Sequence, residues 1–286
     1  MKISELLKNN RMTFSAEVFP PKKSGNMEVV IRTLKEIKKL DPDFVSITYG
    51  AGGMGGETTA DVASVAIDAF DLNTVAHFTA VNMTVEKLEE HIKILKNKNV
   101  ENILVLRGDI SEDSKFYDFK HASDLALYIK NNHGDFNLVG ACYPEGHNES
   151  ASLKDDLINI KKKIDCGVEQ LITQLFFSND TFYKFIDESL TMGIDVPILA
   201  GIMPIVSENQ INRIVKMCGV EIPSDFAKIV ANNSGEDLYK AGIDYAIGQI
   251  DDLIKHGVSG IHLYTMNKGD VARQIFQAFI EERKNG

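Results

Sequence analysis

The sequence predicts an α/β fold, a (β/α)8 TIM barrel that forms a single domain over residues 1–286. Eight short and nearly continuous apolar runs alternate along the chain with amphipathic stretches, which is typical of strands that helices cover on both faces. No linker rich in Pro, Gly or Ser and no break in composition divides the chain, so one domain is expected. A doubly wound open sheet is the alternative topology.

The apolar runs place the strands in chain order. The predicted strands are Thr13–Phe19, Phe44–Gly50, Thr74–Ala80, Asn102–Gly108, Asn137–Pro144, Gln170–Phe177, Pro197–Pro204 and Gly260–Met266. Met27–Leu40 and Val85–Lys98 each place apolar side chains on one helical face, which predicts helices after the first and third strands. Two helical stretches, Ser207–Met217 and Leu238–His256, follow the seventh strand and make its connection the longest.

Composition and charge disfavour several classes of function. With 31 Lys and Arg against 41 Asp and Glu, the net charge is -10, and no basic stripe is present, so nucleic-acid binding is not expected. No run approaches the ~20 apolar residues of a membrane helix, and the first residues do not resemble a signal peptide. Three widely spaced cysteines form no zinc or disulfide pattern, which predicts a cytoplasmic protein without a metal site.

Polar side chains lie at or directly after the carboxyl ends of the predicted strands, where a barrel of this type has its active site. This set comprises Glu17, Thr48, Tyr49, His77, Thr79, Arg107, Asp109, Tyr143, Glu145, His147, Gln174, Tyr264, Asn267 and Lys268. Aromatic residues and prolines flank Glu17, so poor solvation should raise its pKa and suit it to donate a proton near neutral pH. Pairing of Glu17 with an Arg or Lys of the barrel is the structural alternative.

Three further candidate sites allow two interpretations each. Asp109 follows Gly108 and could accept hydrogen bonds from the N–H edge of a heterocycle, or it could cap a helix or turn. His77 is either a ligand contact or a core histidine with satisfied hydrogen bonds. Asp156, Asn159 and Lys163 share one helical face, which could bind ribose hydroxyls and phosphates or could face solvent.

The run Gly50–Gly55 matches the GxGxxG pattern, and Asp71 lies about 20 residues further on. Taken alone, this spacing would indicate a dinucleotide-binding open sheet. Such a dense glycine run satisfies the pattern trivially, however, and it follows the second of eight strands. We therefore interpret it as a loop over a ligand.

Eight segments, which run in order from the first strand to the eighth, together resemble those of the methylenetetrahydrofolate reductase family. They are Ala16-Glu17-Val18-Phe19-Pro20-Pro21, Val45-Ser46-Ile47-Thr48-Tyr49-Gly50-Ala51, Leu106-Arg107-Gly108-Asp109, His121-Ala122-Ser123-Asp124-Leu125, Tyr143-Pro144-Glu145-Gly146-His147, Ile172-Thr173-Gln174-Leu175-Phe176-Phe177, Gly201-Ile202-Met203-Pro204 and His262-Leu263-Tyr264-Thr265-Met266-Asn267. These segments follow one another in the right order over nearly the whole chain, which makes the resemblance specific.

The resemblance implies a catalytic barrel with non-covalent FAD and without the regulatory domain of longer relatives. Such an enzyme of one-carbon metabolism and methionine biosynthesis reduces 5,10-methylenetetrahydrofolate to 5-methyltetrahydrofolate by ping-pong hydride transfer through the flavin. Glu17 would be the general acid that protonates N10 of the folate, and Asp109 would favour the iminium cation. Gln174, Tyr264 and Lys268 would contact the substrate. The implied FAD-lining positions are Thr48, His77, Arg107, Gly108, Asp109, Ala122, Tyr143, His147, Asp156, Asn159 and Lys163.

The electron donor implied by the resemblance is NADH, NADPH or a protein. The loop after strand 2 lacks the Arg of the family, and Glu208 stands where an aromatic residue is expected. These departures keep open a second possibility, in which the chain is one subunit of a larger electron-transfer complex. Either a homo-oligomer or such a hetero-oligomer is expected. An NAD(P)-dependent Rossmann oxidoreductase and a non-catalytic folate-binding module are two further classes of function that the sequence leaves open.

Overall fold

The computed structural model describes residues 1–8, 12–21, 27–49, 56–110, 112, 114–218 and 220–285. Eight parallel strands within these ranges close into a barrel in chain order, and the last strand pairs with the first. The strands are β1 (Thr13–Val18), β2 (Phe44–Ile47), β3 (Thr74–Thr79), β4 (Asn102–Leu106), β5 (Asn137–Cys142), β6 (Val168–Thr173), β7 (Ile198–Ile202) and β8 (Gly260–Tyr264). The predicted TIM barrel is confirmed, because an open sheet would leave the first and last strands unpaired.

Helices connect the strands around the outside of the barrel. They are α1 (Ile3–Leu7), α2 (Met27–Lys38), α3 (Gly56–Phe70), α4 (Val85–Asn97), α5 (Ala122–Asn132), α6 (Leu153–Asp165), α7 (Asn179–Thr191), α8 (Glu208–Cys218), α9 (Ser224–Asn232), α10 (Gly235–Lys255) and α11 (Gly269–Asn285). The predicted helices correspond to α2, α4, α8 and α10. The sequence did not indicate α1 or α9, because both are too short to show a clear apolar period. No helix in the described ranges is long and apolar enough to cross a membrane.

The predicted strands are all present, but their carboxyl ends were placed too late. The largest difference is in β6, which runs from Val168 to Thr173, whereas the apolar run predicts a strand that extends to Phe177. The extra apolar residues are buried for another reason. Leu175 and Phe177 pack with Ile214 and Phe226 in a separate cluster beneath α8 and α9, beside the carboxyl end of the barrel.

The amino end of the barrel is filled with apolar side chains. Ile3 and Leu7 of α1 pack there in a cluster with Phe44, Val75, Leu104, Val139, Ile172 and Leu199. Asn102 holds α1 in place, since its Oδ1 accepts a hydrogen bond from the Ile3 N–H at 2.9 Å. The larger core lies between the outward strand faces and the helices, for example where Phe14 and Val18 join the cluster that contains Leu34.

Candidate active site

A cavity of about 710 Å³ opens among the carboxyl ends of the strands. All eight strands or the residues directly after them contribute to its wall, because inward-facing side chains alternate along each strand. The predicted site residues that line it are Glu17, Thr48, His77, Arg107, Gly108, Asp109, Tyr143, His147, Gln174 and Tyr264. The strand-end rule therefore brings these residues together in space.

Glu17 lies near the carboxyl end of β1 and points into the cavity with only 8% of its surface exposed. Burial disfavours the carboxylate and raises the pKa of Glu17 to about 8. His77 Nε2 lies 4.0 Å from Glu17 Oε2. No Arg or Lys pairs with Glu17 among the described residues, so the alternative of a structural ion pair is not observed there. At neutral pH this side chain is a carboxylic acid that can donate a proton.

His77 faces Glu17 across the cavity and is 5% exposed. Burial lowers the pKa of His77 to about 3, so the imidazole is neutral. Its Nε2 atom is buried and has no hydrogen-bond partner within the described ranges. An unpaired buried polar atom costs free energy, so this nitrogen marks a position where a polar atom of a ligand would bind.

The floor beneath Glu17 is a layer of hydrogen-bonded side chains that the sequence did not reveal. His262 Nδ1 lies 2.8 Å from Ser15 Oγ, and its Nε2 lies 3.2 Å from Ser46 Oγ. Burial lowers the pKa of His262 to about 3, and a neutral ring can donate from one nitrogen and accept at the other. The available signal was the inward register that Ser15 shares with His262 across the β1–β8 pair.

The segment after β4 forms one rim of the cavity. Gly108 has a φ of 89°, and a Cβ there would lie 3.0 Å from Thr79 Cβ, so glycine suits this turn. The Arg107 guanidinium forms a bidentate ion pair with Glu149, in which Nη2 and Oε1 are 2.8 Å apart. This pairing raises the pKa of Arg107. Asp109 is exposed and lines the cavity at this rim.

Two of the polar residues predicted to share one face of α6 form hydrogen bonds with different parts of the protein. Asp156 is buried and accepts hydrogen bonds from the His147 N–H at 3.2 Å and the Ser150 hydroxyl at 3.3 Å. Lys163 donates to the carbonyl of Ala141 at the end of β5. Burial lowers the pKa of Lys163 and raises that of Asp156. Together these two side chains hold the loop and strand end that carry His147.

Several predicted residues do not line the cavity wall. Asn159 and Lys268 are exposed, and Ala122 is half-buried at the start of α5. Asp156 and Lys163 also lie outside the wall. A position on a shared helical face or at a strand end does not by itself determine where a side chain points, so the sequence could not exclude these residues. Glu208 is also exposed, at the first residue of α8. The glycine run 50–55 lies outside the described residues.

Tyr264 is a fixed wall of the cavity. Its hydroxyl donates to the Thr173 carbonyl at 2.6 Å. Its ring lies so close to Gly201 that a Cβ on that glycine would be 2.7 Å from Tyr264 Cε2. Gln174 lies next to this wall, and its Oε1 accepts from the Leu175 N–H at 2.9 Å. Hydrogen bonds to the backbone at the end of β6 therefore fix the side chains of Tyr264 and Gln174, which are two of the predicted substrate contacts.

Helix α8 contributes cavity residues that strand-end reasoning missed. Gln210, Arg213 and Ile214 line the same cavity from the long connection after β7. Ile214 also belongs to the apolar cluster under α8 and α9, so packing of that cluster brings the helix over the cavity. In the described ranges no group of three or more His, Cys, Asp or Glu side chains could hold a metal ion.

A closed (β/α)8 barrel with a deep cavity of polar groups at its carboxyl end, one of them a buried acid, defines a barrel enzyme. Residues 2–279 match the family model described as methylenetetrahydrofolate reductase. The chain is 34% identical over 272 residues to the 5,10-methylenetetrahydrofolate reductase of Buchnera aphidicola, which covers 93% of this chain and 91% of that protein. The chain therefore belongs to the methylenetetrahydrofolate reductase family.

Further similarities agree with this assignment. The 5,10-methylenetetrahydrofolate reductase of Escherichia coli is 31% identical over 267 residues, which cover 93% of this chain and 90% of that protein. Methylenetetrahydrofolate reductase (NADH) 1 of Arabidopsis thaliana is 32% identical over 283 residues, which cover 93% of this chain. The chain spans about half the length of that plant relative, since the alignment covers 48% of it.

A solved structure shows the same fold at low sequence identity. It is an uncharacterized protein from Clostridium thermocellum that binds two copies of 5-methyl-5,6,7,8-tetrahydrofolic acid. The two chains superimpose with a TM-score of 0.70 at 15% identity, and the match covers 99% of each. This comparison supports the barrel architecture.

Proposed function

We propose that residues 1–286 act as one catalytic barrel that binds FAD and reduces 5,10-methylenetetrahydrofolate to 5-methyltetrahydrofolate. The observation that carries this proposal is Glu17, a buried acid without a cationic partner among the described residues, in the cavity of a barrel of this family. A general acid in a folate reductase must be protonated near neutral pH, and a pKa of about 8 meets that condition.

The residues present fit a flavin nucleotide. A cavity of about 710 Å³ is within the range of roughly 300–1,000 Å³ that small-molecule sites occupy. His77 Nε2 offers an unpaired buried polar atom. The Arg107 guanidinium, which pairs with Glu149 in this structure, has a planar fork that would suit a diphosphate once that pair opens. The residues of the cavity wall that would hold FAD are Thr48, His77, Arg107, Gly108, Asp109, Tyr143 and His147, and those that would contact it from outside that wall are Ala122, Asp156, Asn159 and Lys163. When bound, FAD would supply the hydride for the exocyclic methylene of the substrate.

Glu17 would supply the proton. Transfer from its carboxyl to N10 of the folate breaks the bond between N10 and the bridging carbon and leaves an iminium cation at N5. The Asp109 carboxylate at the rim would stabilise that cation electrostatically. Gln174 would orient the pterin through hydrogen bonds, with Tyr264 as a fixed wall and Lys268 at the outer edge. One proton and one hydride together convert the methylene bridge into the methyl group.

A ping-pong sequence is part of the proposal. Barrel closure leaves no separate Rossmann domain among the described residues, so a reduced nicotinamide and the folate would use the same cavity in turn. NADH is the donor that we favour, because plant relatives carry it in their names. A protein donor is the second candidate. Robust reduction of the flavin in the isolated chain by NADH would argue against it.

The Glu17→Gln variant tests the proposal directly. The variant should bind FAD and be reduced by NADH as the wild type is, because hydride transfer from nicotinamide needs no proton from Glu17. Reoxidation by 5,10-methylenetetrahydrofolate, followed anaerobically through the flavin absorbance, should slow by about 10²–10⁴-fold. Glu145→Gln is the control for loss of a carboxyl, since Glu145 is exposed near the same barrel end and lies outside the cavity wall. Normal folate turnover by Glu17→Gln would refute the acid role.

A further inference from the structure

The turn after β8 contains two consecutive non-glycine residues in the left-handed region. Met266 has a φ of 51° and Asn267 a φ of 59°. Left-handed residues other than glycine are uncommon, and they persist where the surrounding structure determines them strongly. Met266 lines the cavity, so this turn lies at the site itself.

Hydrogen bonds from this turn reach the backbone of Glu17 and its neighbours. Thr265 Oγ1 donates to the carbonyl oxygen of Glu17 at 2.7 Å and accepts from the Asn267 N–H at 3.2 Å. The Asn267 side chain bonds Phe19 twice: Nδ2 donates to its carbonyl at 2.9 Å, and Oδ1 accepts from its N–H at 2.9 Å. The turn therefore holds the chain at Glu17 and two residues beyond it.

The Glu17 carboxyl itself has no hydrogen bond within the described residues, and His77 Nε2 lies 4.0 Å from its Oε2 atom. Its position therefore depends on packing and on the backbone that carries it. Pairing of β1 with β8 ends at the Glu17–Tyr264 pair, so beyond this point on the β8 side the turn replaces the sheet hydrogen bonds. The hydrogen bonds of the turn are thus the polar contacts that fix the backbone on this side of the acid.

We propose that Thr265 and Asn267 are positioning residues that hold Glu17 at the distance and angle needed for proton transfer to the substrate. This inference rests on the proposed function of Glu17. Misplacement of a reacting group by about 1 Å can cost on the order of 100-fold in rate, so loss of one of these hydrogen bonds should slow the proton-dependent step specifically.

Thr265→Val removes the hydroxyl and keeps the shape of the side chain. In the FAD-loaded protein, we expect reoxidation of the reduced flavin by 5,10-methylenetetrahydrofolate to slow by about 10-fold or more. Flavin reduction by NADH should stay within about twofold of the wild type, because that step does not use Glu17. Thr265→Ser keeps the hydroxyl and should restore the folate step. Thr74→Val is the matched control, since its buried hydroxyl at the amino end of β3 has no partner in the described ranges.

Asn267→Gly provides a second test if Thr265→Val does not fold. Glycine accepts the left-handed backbone, while the two bonds to Phe19 are lost. The same selective loss of the folate step is expected. An unchanged folate step, or a parallel loss of both half-reactions with failed rescue by Thr265→Ser, would overturn the inference. If wild-type reduced flavin is not reoxidised by the folate, the proposed function itself is wrong. If the wild type reacts and the variants react equally fast, only the positioning role is wrong.

Discussion

The two ends of the barrel interior differ in composition although the same strands form both. At the amino end, the inward side chains are apolar and α1 covers them. At the carboxyl end they are polar. The Glu17 side chain is buried there, and the buried His77 Nε2 has no hydrogen-bond partner among the described residues. The change occurs within single strands: β3, for example, places Val75 in the apolar cluster and His77 in the cavity.

The two ends of the barrel therefore make opposite contributions to the free energy of folding. Each large apolar side chain buried at the amino end stabilises the fold by about 1.5–3 kcal/mol. An unpaired buried polar group at the other end costs about 1–3 kcal/mol. We infer that packing at the amino end offsets the cost of holding a neutral acid and an unpaired imidazole at the site.

The largest expected effect comes from breaking the amino end. Leu199→Ala creates a cavity in that apolar cluster and should lower the free energy of unfolding by about 2–5 kcal/mol. FAD affinity and both half-reactions should be unchanged at temperatures where the variant is folded. Urea denaturation measures the first effect, and Leu190→Ala, at a residue that is 59% exposed, is the control. Loss of FAD binding in folded Leu199→Ala would show that the two ends are not independent.

The next effect is the pH dependence of stability at the polar end. Burial raises the folded-state pKa of Glu17 from 4.5 to about 8, so between these values the folded protein holds a proton that the unfolded chain releases. The contribution of Glu17 to the free energy of unfolding is therefore fully present below pH 4.5. It is lost as pH rises, at about 1.4 kcal/mol for each pH unit up to about pH 8.

The difference between wild type and Glu17→Gln isolates this contribution, because other titrating groups cancel. Urea denaturation of both proteins from pH 5 to pH 9 should show the variant gaining relative stability as pH rises. A difference that does not change with pH would contradict the burial of a titrating carboxyl at this position.

The smallest effect is expected at the rim, where Glu149 pairs with Arg107. The two side chains are 56% and 25% exposed, so Glu149→Gln should change the free energy of unfolding by less than about 1 kcal/mol. Because the variant removes a carboxylate that competes for the guanidinium, FAD affinity should rise slightly. Fluorescence titration with FAD measures this. An affinity loss of more than about 10-fold would instead show that Glu149 orients Arg107 for the cofactor.

Much of the polar end could be predicted from sequence, because apolar runs locate strands and polar residues near the carboxyl end of each run locate the cavity. Glu17, Tyr143 and Gln174 lie in such positions and line one cavity. The floor could not be predicted in the same way. Ser15 and His262 interrupt apolar strands, and only the register across the closed barrel shows that they meet.

Long connections and helical faces were further sources of error. Gln210 reaches the cavity because α8 packs on a separate apolar cluster, which no local pattern indicates. The spacing of Asp156, Asn159 and Lys163 predicted a common face correctly, but it could not show that Asp156 bonds the loop at His147 while Asn159 faces solvent. Such placement depends on tertiary packing.

The pH dependence of the folate half-reaction tests the central claim most directly. With reduced wild-type enzyme and 5,10-methylenetetrahydrofolate, the rate constant for flavin reoxidation should be highest at low pH and should fall as pH rises through about 8, following ionisation of Glu17. Glu17→Gln should react slowly at every pH, without that transition. A wild-type profile that stays flat to pH 9, or a variant that retains the same transition, would contradict the account.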